Sequence, residues 1–169
     1  MKISMHALSV DLFAHALGNL SSILEKAAAS AAQRKFEPGV LLAARLAPDM
    51  LPLTRQVQIA ADIAKNSVAR LTGQEPPRFE DTETTIEELR ARLARTIDYL
   101  RSVPASALEG AETREVRLPS GGRTLEFTGL EFLQRWAIPN VFFHVTTAYD
   151  ILRHNGVELG KRDFLGSGS

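Results

Sequence analysis

Any chemistry in this chain must rest on histidine, carboxylate and hydroxyl groups. It has no cysteine, which removes disulfides, thiolate metal sites and cysteine nucleophiles together. Two of its four histidines fall in one stretch, FFHVTTAYDILRHNGV, residues 142 to 157. On a helix, His154 would lie roughly 80° around the axis from His144 and about 15 Å further along it, so the two cannot hold one ion. A metal site on that helix would need a second ligand at i+3 or i+4 from His144. Those positions are Thr147 and Ala148; threonine is a poor ligand and alanine is none. His144 shares an arc with Leu130, Leu133, Ala137, Val141, Ala148, Ile151 and Leu152, so it points into the core. Two readings stay open: a buried, hydrogen-bonded or pocket-lining imidazole, or a metal-binding or catalytic one. The first is preferred.

The other candidates are ranked by the face they occupy. His15 lies on the flank of the first helix's apolar stripe, near Asn19, and could face the same interior as His144. His6 lies on the opposite flank, and His154 sits near a helix end, where it can meet the last carbonyls. On the second helix Gln56 sits at the edge of the apolar arc and is expected inward, whereas Asp62 falls on the polar side. Trp136 and Tyr149 occupy other faces of the last helix, suited to an edge, a pocket or a subunit contact. Arg90, Arg92, Arg95 and Arg101 are interleaved with acidic residues and read as a solvated face. The glycines of PSGG and GSGS are turn and tail residues, since neither opens a helix after a strand as a phosphate-binding loop does.

These residues need a scaffold, and helical periodicity supplies it. Met5, Leu8, Leu12, Ala16, Leu20 and Ile23 form one stripe of a helix over about 4–31. Pro38, Gly39 and Pro48 then mark a connection with at most one short helical piece. Leu53, Val57, Ala60, Ala64, Val68 and Leu71 define a second helix over about 50–71, with Gly73 just past its end. The acidic stretch EPPRFEDTETT is a linker. Thr84 with Glu87, or Thr85 with Glu88, can form a capping box for a third helix that carries Ile86, Leu89, Leu93, Ile97 and Leu100. In EVRLPSGGRTLEF the period changes to two, which predicts a β-hairpin with a loop somewhat longer than two residues. Thr128 and Glu131 open a fourth helix that runs to about Asn155, ended by Gly156. The fold class is all-α: an antiparallel four-helix bundle with a small β-hairpin between helices three and four. It forms a single domain over 1–165, followed by a flexible tail at 166–169. Ala60, Ala61 and Ala64 suit close helix packing, internal or across a dimer.

Composition excludes some partners. Lys plus Arg equals Asp plus Glu at 20 each, so there is no long-range field to gather nucleic acid or an anionic membrane. The longest apolar runs fall far short of the roughly 20 residues that span a bilayer, and the N-terminal stretch lacks a cleavage pattern. A cytoplasmic protein without nucleic-acid or membrane partners is expected.

The segments APDMLPLTRQVQIAADIAK, EVRLPSGGRTLEFTGLEF and PNVFFHVTTAYDILRHNGVELGKRDFLG resemble an uncharacterised bacterial family, a domain of unknown function in the DinB/YfiT-like superfamily. The resemblance covers nearly the whole chain. It implies an up-down-down-up bundle, commonly a homodimer, in which many members bind a divalent metal through three histidines, one on the second helix and an H-x-x-x-H pair on the fourth. Some relatives are thiol-dependent transferases, isomerases or hydrolases. Only His144 matches, as the first of the pair. Ala148 stands where the second would be, and the second helix has no histidine, with Gln56 its nearest inward polar residue.

No complete catalytic motif appears, so whether the protein is an enzyme stays open. The preferred expectation is a bundle that binds an unknown small molecule through an interior cleft near His144, with Gln56, His15 and Asn19 as further ligand-binding candidates and no cofactor. The alternatives are a metal-dependent transferase or hydrolase holding zinc or nickel through His144, and a structural or protein-interaction module.

Overall fold

The computed structural model describes residues 3–166; apart from Gly166, the expected flexible tail lies outside the described residues. Four long helices form the body: α1 (Leu12–Arg34), α3 (Leu53–Thr72), α4 (Ile86–Ser102) and α6 (Ile138–His154). Three short ones, α2 (Gly39–Ala43), α5 (Gly129–Phe132) and α7 (Lys161–Leu165), flank them. The apolar stripes face one another as their spacing requires. Leu17, Leu20 and Leu24 of α1, Val57, Ala60, Ala64 and Val68 of α3, Leu89 and Leu93 of α4, and Val141, Ala148 and Leu152 of α6 are all buried in one core.

Helix directions follow from which ends meet. Arg34, ending α1, donates to the carbonyl of Asn155 just past α6, while Met5 and Leu130, near their starts, line one cavity, so α1 and α6 run parallel. Leu71, near the end of α3, approaches Gly129 at the start of α5. Helix α3 therefore runs the other way. Gln58 reaches Glu83 and Asp62 reaches Arg92, which makes α4 parallel to α3. The bundle is up-down-down-up, with α1 and α3 each packed between α4 and α6. Parallel neighbours cannot be joined by a tight turn, so residues 73–85 must travel back about 30 Å along the bundle.

Local chemistry sets the element ends. Thr85 and Glu88 form the first capping box, Glu88 N donating to Thr85 Oγ1 at 3.1 Å and Thr85 N to Glu88 Oε2 at 3.1 Å. Thr128 and Glu131 form the second. Strands β1 (Glu115–Ser120) and β2 (Arg123–Thr128) pair antiparallel with Leu118 opposite Leu125. The loop expected to exceed two residues is a two-residue turn. Gly121 and Gly122 take φ of 55° and 79° in succession, the double left-handed turn that matches strand twist. Where the chain re-enters the bundle, a Cβ on Gly129 would lie 1.9 Å from the Ala111 carbonyl oxygen, so only glycine permits that approach.

Two helices depart from regular winding. The expected continuous fourth helix contains a π-turn, Leu133–Ala137, directly before Pro139, whose missing N–H and ring cannot continue an α-helical ladder. The expected first helix contains another, Ala7–Asp11, where the buried Ser9 hydroxyl donates to the Met5 carbonyl at 2.6 Å. This π-turn and α1 together, Ala7–Arg34, are long and apolar enough to cross a membrane by length and composition; here their apolar stripe is core.

Candidate functional site

Helices α3 and α6 bring Gln56 and His144 together. Gln56 is 2% exposed in the second turn of α3. Its Nε2 donates to the Leu51 carbonyl at 3.0 Å, and its Oε1 lies 2.7 Å from His144 Nδ1. A carbonyl can only accept, so the Leu51 oxygen orients the amide with its NH2 toward the loop and its oxygen toward the ring. Nδ1 must then carry the proton. The lone pair is left on Nε2, to which no hydrogen bond runs among the described residues. Burial pushes the His144 pKa below its ordinary 6.5, because a half-buried ring favours its neutral form. The imidazole is therefore neutral at pH 7, with one fixed tautomer.

A groove of about 520 Å³ lies between the 46–50 loop and α6; Phe143 and Thr147 line it, and Gln56 and His144 do not. Leu46, Met50, Phe142 and Phe143 give it apolar walls, and Thr147 and Asp150 add polar groups. Phe143, 55% exposed, meets the His144 ring edge-on at 5.2 Å. A neutral imidazole with one open acceptor nitrogen can accept from a hydroxyl or N–H donor. It can also act as a weak general base.

His15 and Asn19 are placed elsewhere. His15 Nε2 donates to the Leu165 carbonyl at 2.8 Å, and Asn19 Nδ2 donates to the Phe164 carbonyl at 3.0 Å. The 3.1 Å approach of Asn19 Nδ2 to the same His15 nitrogen joins two donors and is not a bond. These residues clamp α7 onto α1, helped by Lys26 on Asp163 at 2.6 Å. The four expected site residues thus fall in two places, Gln56 with His144 and His15 with Asn19. Tyr149 meets Phe164 edge-on, Trp136 stacks on Phe132, His6 lies 3.4 Å from Asp11, and His154 is exposed at the end of α6.

The residues around His144 do not fit a metal ion. Ala148, fully buried one turn on, offers no donor atom. The amide of Gln56 is already committed at both ends. Among the described residues no group of three or more His, Cys, Asp or Glu side chains could hold a metal.

The expected solvated arginine face needs one correction. Arg95 and Arg101 are exposed and Arg90 pairs with Glu25, but Arg92 is fully buried. Its guanidinium donates to the Glu80 carbonyl at 3.0 Å and to Glu83 and Asp62 at 3.0 and 2.9 Å, and pairs with the Asp81 carboxylate at 2.9 Å. Lys65 Nζ sits 2.9 Å from Asp62 Oδ1, an ion pair too bent to count as a hydrogen bond, since that oxygen is otherwise unpartnered. Phe79 lies between Lys65 and Arg95, each cation 4.3 Å from the ring centre. Burial opposes the charge on Arg92, yet Glu83, Asp62 and Asp81 together raise its pKa. Burial likewise disfavours the charged Asp81 and Glu83, but Arg55 and Arg92 beside Asp81, and Gln58 and Arg92 beside Glu83, hold both carboxyls below their usual range. The available signal was the acidic run of the linker, whose partner had to be a basic residue on the helices it crosses.

Comparison with known proteins places this architecture. The family model described as Domain of unknown function (DUF1993) matches residues 5–165. The chain is similar to a solved DinB family member protein from Shewanella denitrificans, at 48% identity over 97% of this chain and 93% of that one, with a TM-score of 0.90. No curated protein matches. The matched span takes in all four long helices, the hairpin and the Gln56–His144 pair, so the chain belongs to the DUF1993 family of DinB-like domains of unknown function.

Proposed function

We propose that this protein binds a small molecule beside His144, through a neutral hydroxyl or N–H donor carried on an apolar body. The observation that carries the reading is the Leu51–Gln56–His144 relay, which fixes the tautomer and leaves Nε2 as an acceptor with no protein partner among the described residues.

The test uses untagged protein, purified without chelator and re-equilibrated with zinc, nickel and manganese, followed by elemental analysis and nitrogen NMR of the histidine rings. The expected outcome is substoichiometric metal, a His144 ring protonated at Nδ1, and a shift of its Nε2 resonance on titration with phenol. Near one ion per chain, lost in His144→Ala, would overturn the reading in favour of a metal-dependent transferase or hydrolase. No Nε2 response to phenol would sink it in favour of a structural module.

A further inference from the structure

A second cavity lies at the other end of the bundle. It has a volume of about 770 Å³, within the range of roughly 300–1,000 Å³ usual for small-molecule sites. Met5, Leu8, Leu108 and Leu130 give it an apolar lining, and Glu109 and Glu112 stand exposed on its rim. No lysine or arginine lines it among the described residues, and no ion pair there engages either glutamate. Among the described lining residues these two carboxylates are the only Asp, Glu, Lys or Arg side chains, set over an apolar interior.

The backbone around it is irregular to an unusual degree. The two π-turns among the described residues, Ala7–Asp11 and Leu133–Ala137, both border this cavity, through Leu8 and Gln134. Such turns are rare and are found disproportionately at functional sites. The opposite wall is built of 3₁₀ turns joined at Gly110, whose φ of 70° only glycine adopts without strain.

We propose that this basal cavity is a second binding site, for a small amine or ammonium compound with an apolar body. The apolar part would displace water from the lining, and the cation would meet Glu109 and Glu112 at the rim. His6 also lines the cavity, and its near partner is the carboxylate of Asp11 at 3.4 Å. The site shares no residue with the His144 relay, so either can fail alone.

The test is a titration of the nitrogen-15-labelled chain with octylammonium, octanoate and octanol, which share a tail and differ in charge. Octylammonium is expected to shift the amides of Leu108, Leu130 and Gln134 and to bind about fivefold or more tighter than octanol, the scale of two rim-exposed ion pairs. Octanoate should bind weakest. Replacing both carboxylates, as Glu109→Gln with Glu112→Gln, should erase the preference for the cation while keeping the fold. Ala105→Trp, at an exposed wall position, should block all three ligands. Equal affinity for the three compounds, shifts confined to other surfaces, or no shifts at all would each overturn the proposal.

Discussion

Helix α3 presents polar side chains on both of its neighbours' sides, and they are treated differently. Toward α4 and the returning linker, Asp62 meets the fully buried Arg92, which is answered by a carbonyl and three carboxylates. Toward α6, Gln56 meets His144, which is answered once, at Nδ1. The first arrangement answers most of its groups, with Arg92 Nε and Asp62 Oδ1 left without a hydrogen bond among the described residues, and ties down a linker that has few apolar anchors of its own. The second leaves an acceptor open. Saturation suits a structural lock, because buried charge is tolerable only when it is met. An unmet acceptor near solvent suits a site.

The largest effect should come from removing the lock. Arg92→Ala strands three carboxylates and is expected to cost about 3 kcal/mol, measured by urea unfolding. A loss below about 1 kcal/mol would mean that Phe79 and the helix caps hold the linker instead. Breaking the relay should cost less. Gln56→Leu leaves the Nδ1–H without its acceptor, for about 1–2 kcal/mol, and the nitrogen NMR signature of His144 should change to a mixture of tautomers. His144→Phe strands the buried Gln56 Oε1 in turn and is expected to cost a similar amount, about 1–2 kcal/mol, with the phenol response abolished. If that variant were as damaging as Arg92→Ala, the contrast between lock and site would collapse.

The mildest perturbation is pH, and the two regions should separate along it. The folded-state pKa of His144 lies below its ordinary 6.5, so the unfolded chain takes up its proton first as pH falls. Stability should therefore be full above that value and decline below it until the folded-state pKa is passed. Calorimetry should find this slope absent in His144→Phe. Asp81 and Glu83 have depressed folded pKa values against ordinary ones of 3.8 and 4.5. Their contribution is present above those ordinary values and is lost as pH falls through the folded ones. That acid-side loss should be weaker in Arg92→Ala, and an unchanged acid profile would show that Arg92 does not set it.

Much of this was legible in the chain itself. The apolar spacings on the four long helices, the threonine–glutamate boxes at Thr85 and Thr128, and the alternation around PSGG each specify local structure through contacts a few residues apart. The inward placement of Gln56 and His144 follows from the same periodicity. The π-turn before Pro139 had a local cause in that proline, but the one at Ala7–Asp11 had no comparable signal.

Other features belong to the assembled bundle. Periodicity assigns Arg92 to a polar face, and only the return of the linker across α3 and α4 turns that face into an interior. His15 and Asn19 share a helix flank with an apolar stripe, but α7 folds back to claim their donors. The sequence by itself determined which faces are apolar, where the helices start and stop, and that alanine stands one helical turn after His144. The tertiary structure alone decided which polar groups meet, which of them are left with an open atom, and where cavities form. Those outcomes depend on contacts between segments far apart in the chain, and local periodicity carries no information about them.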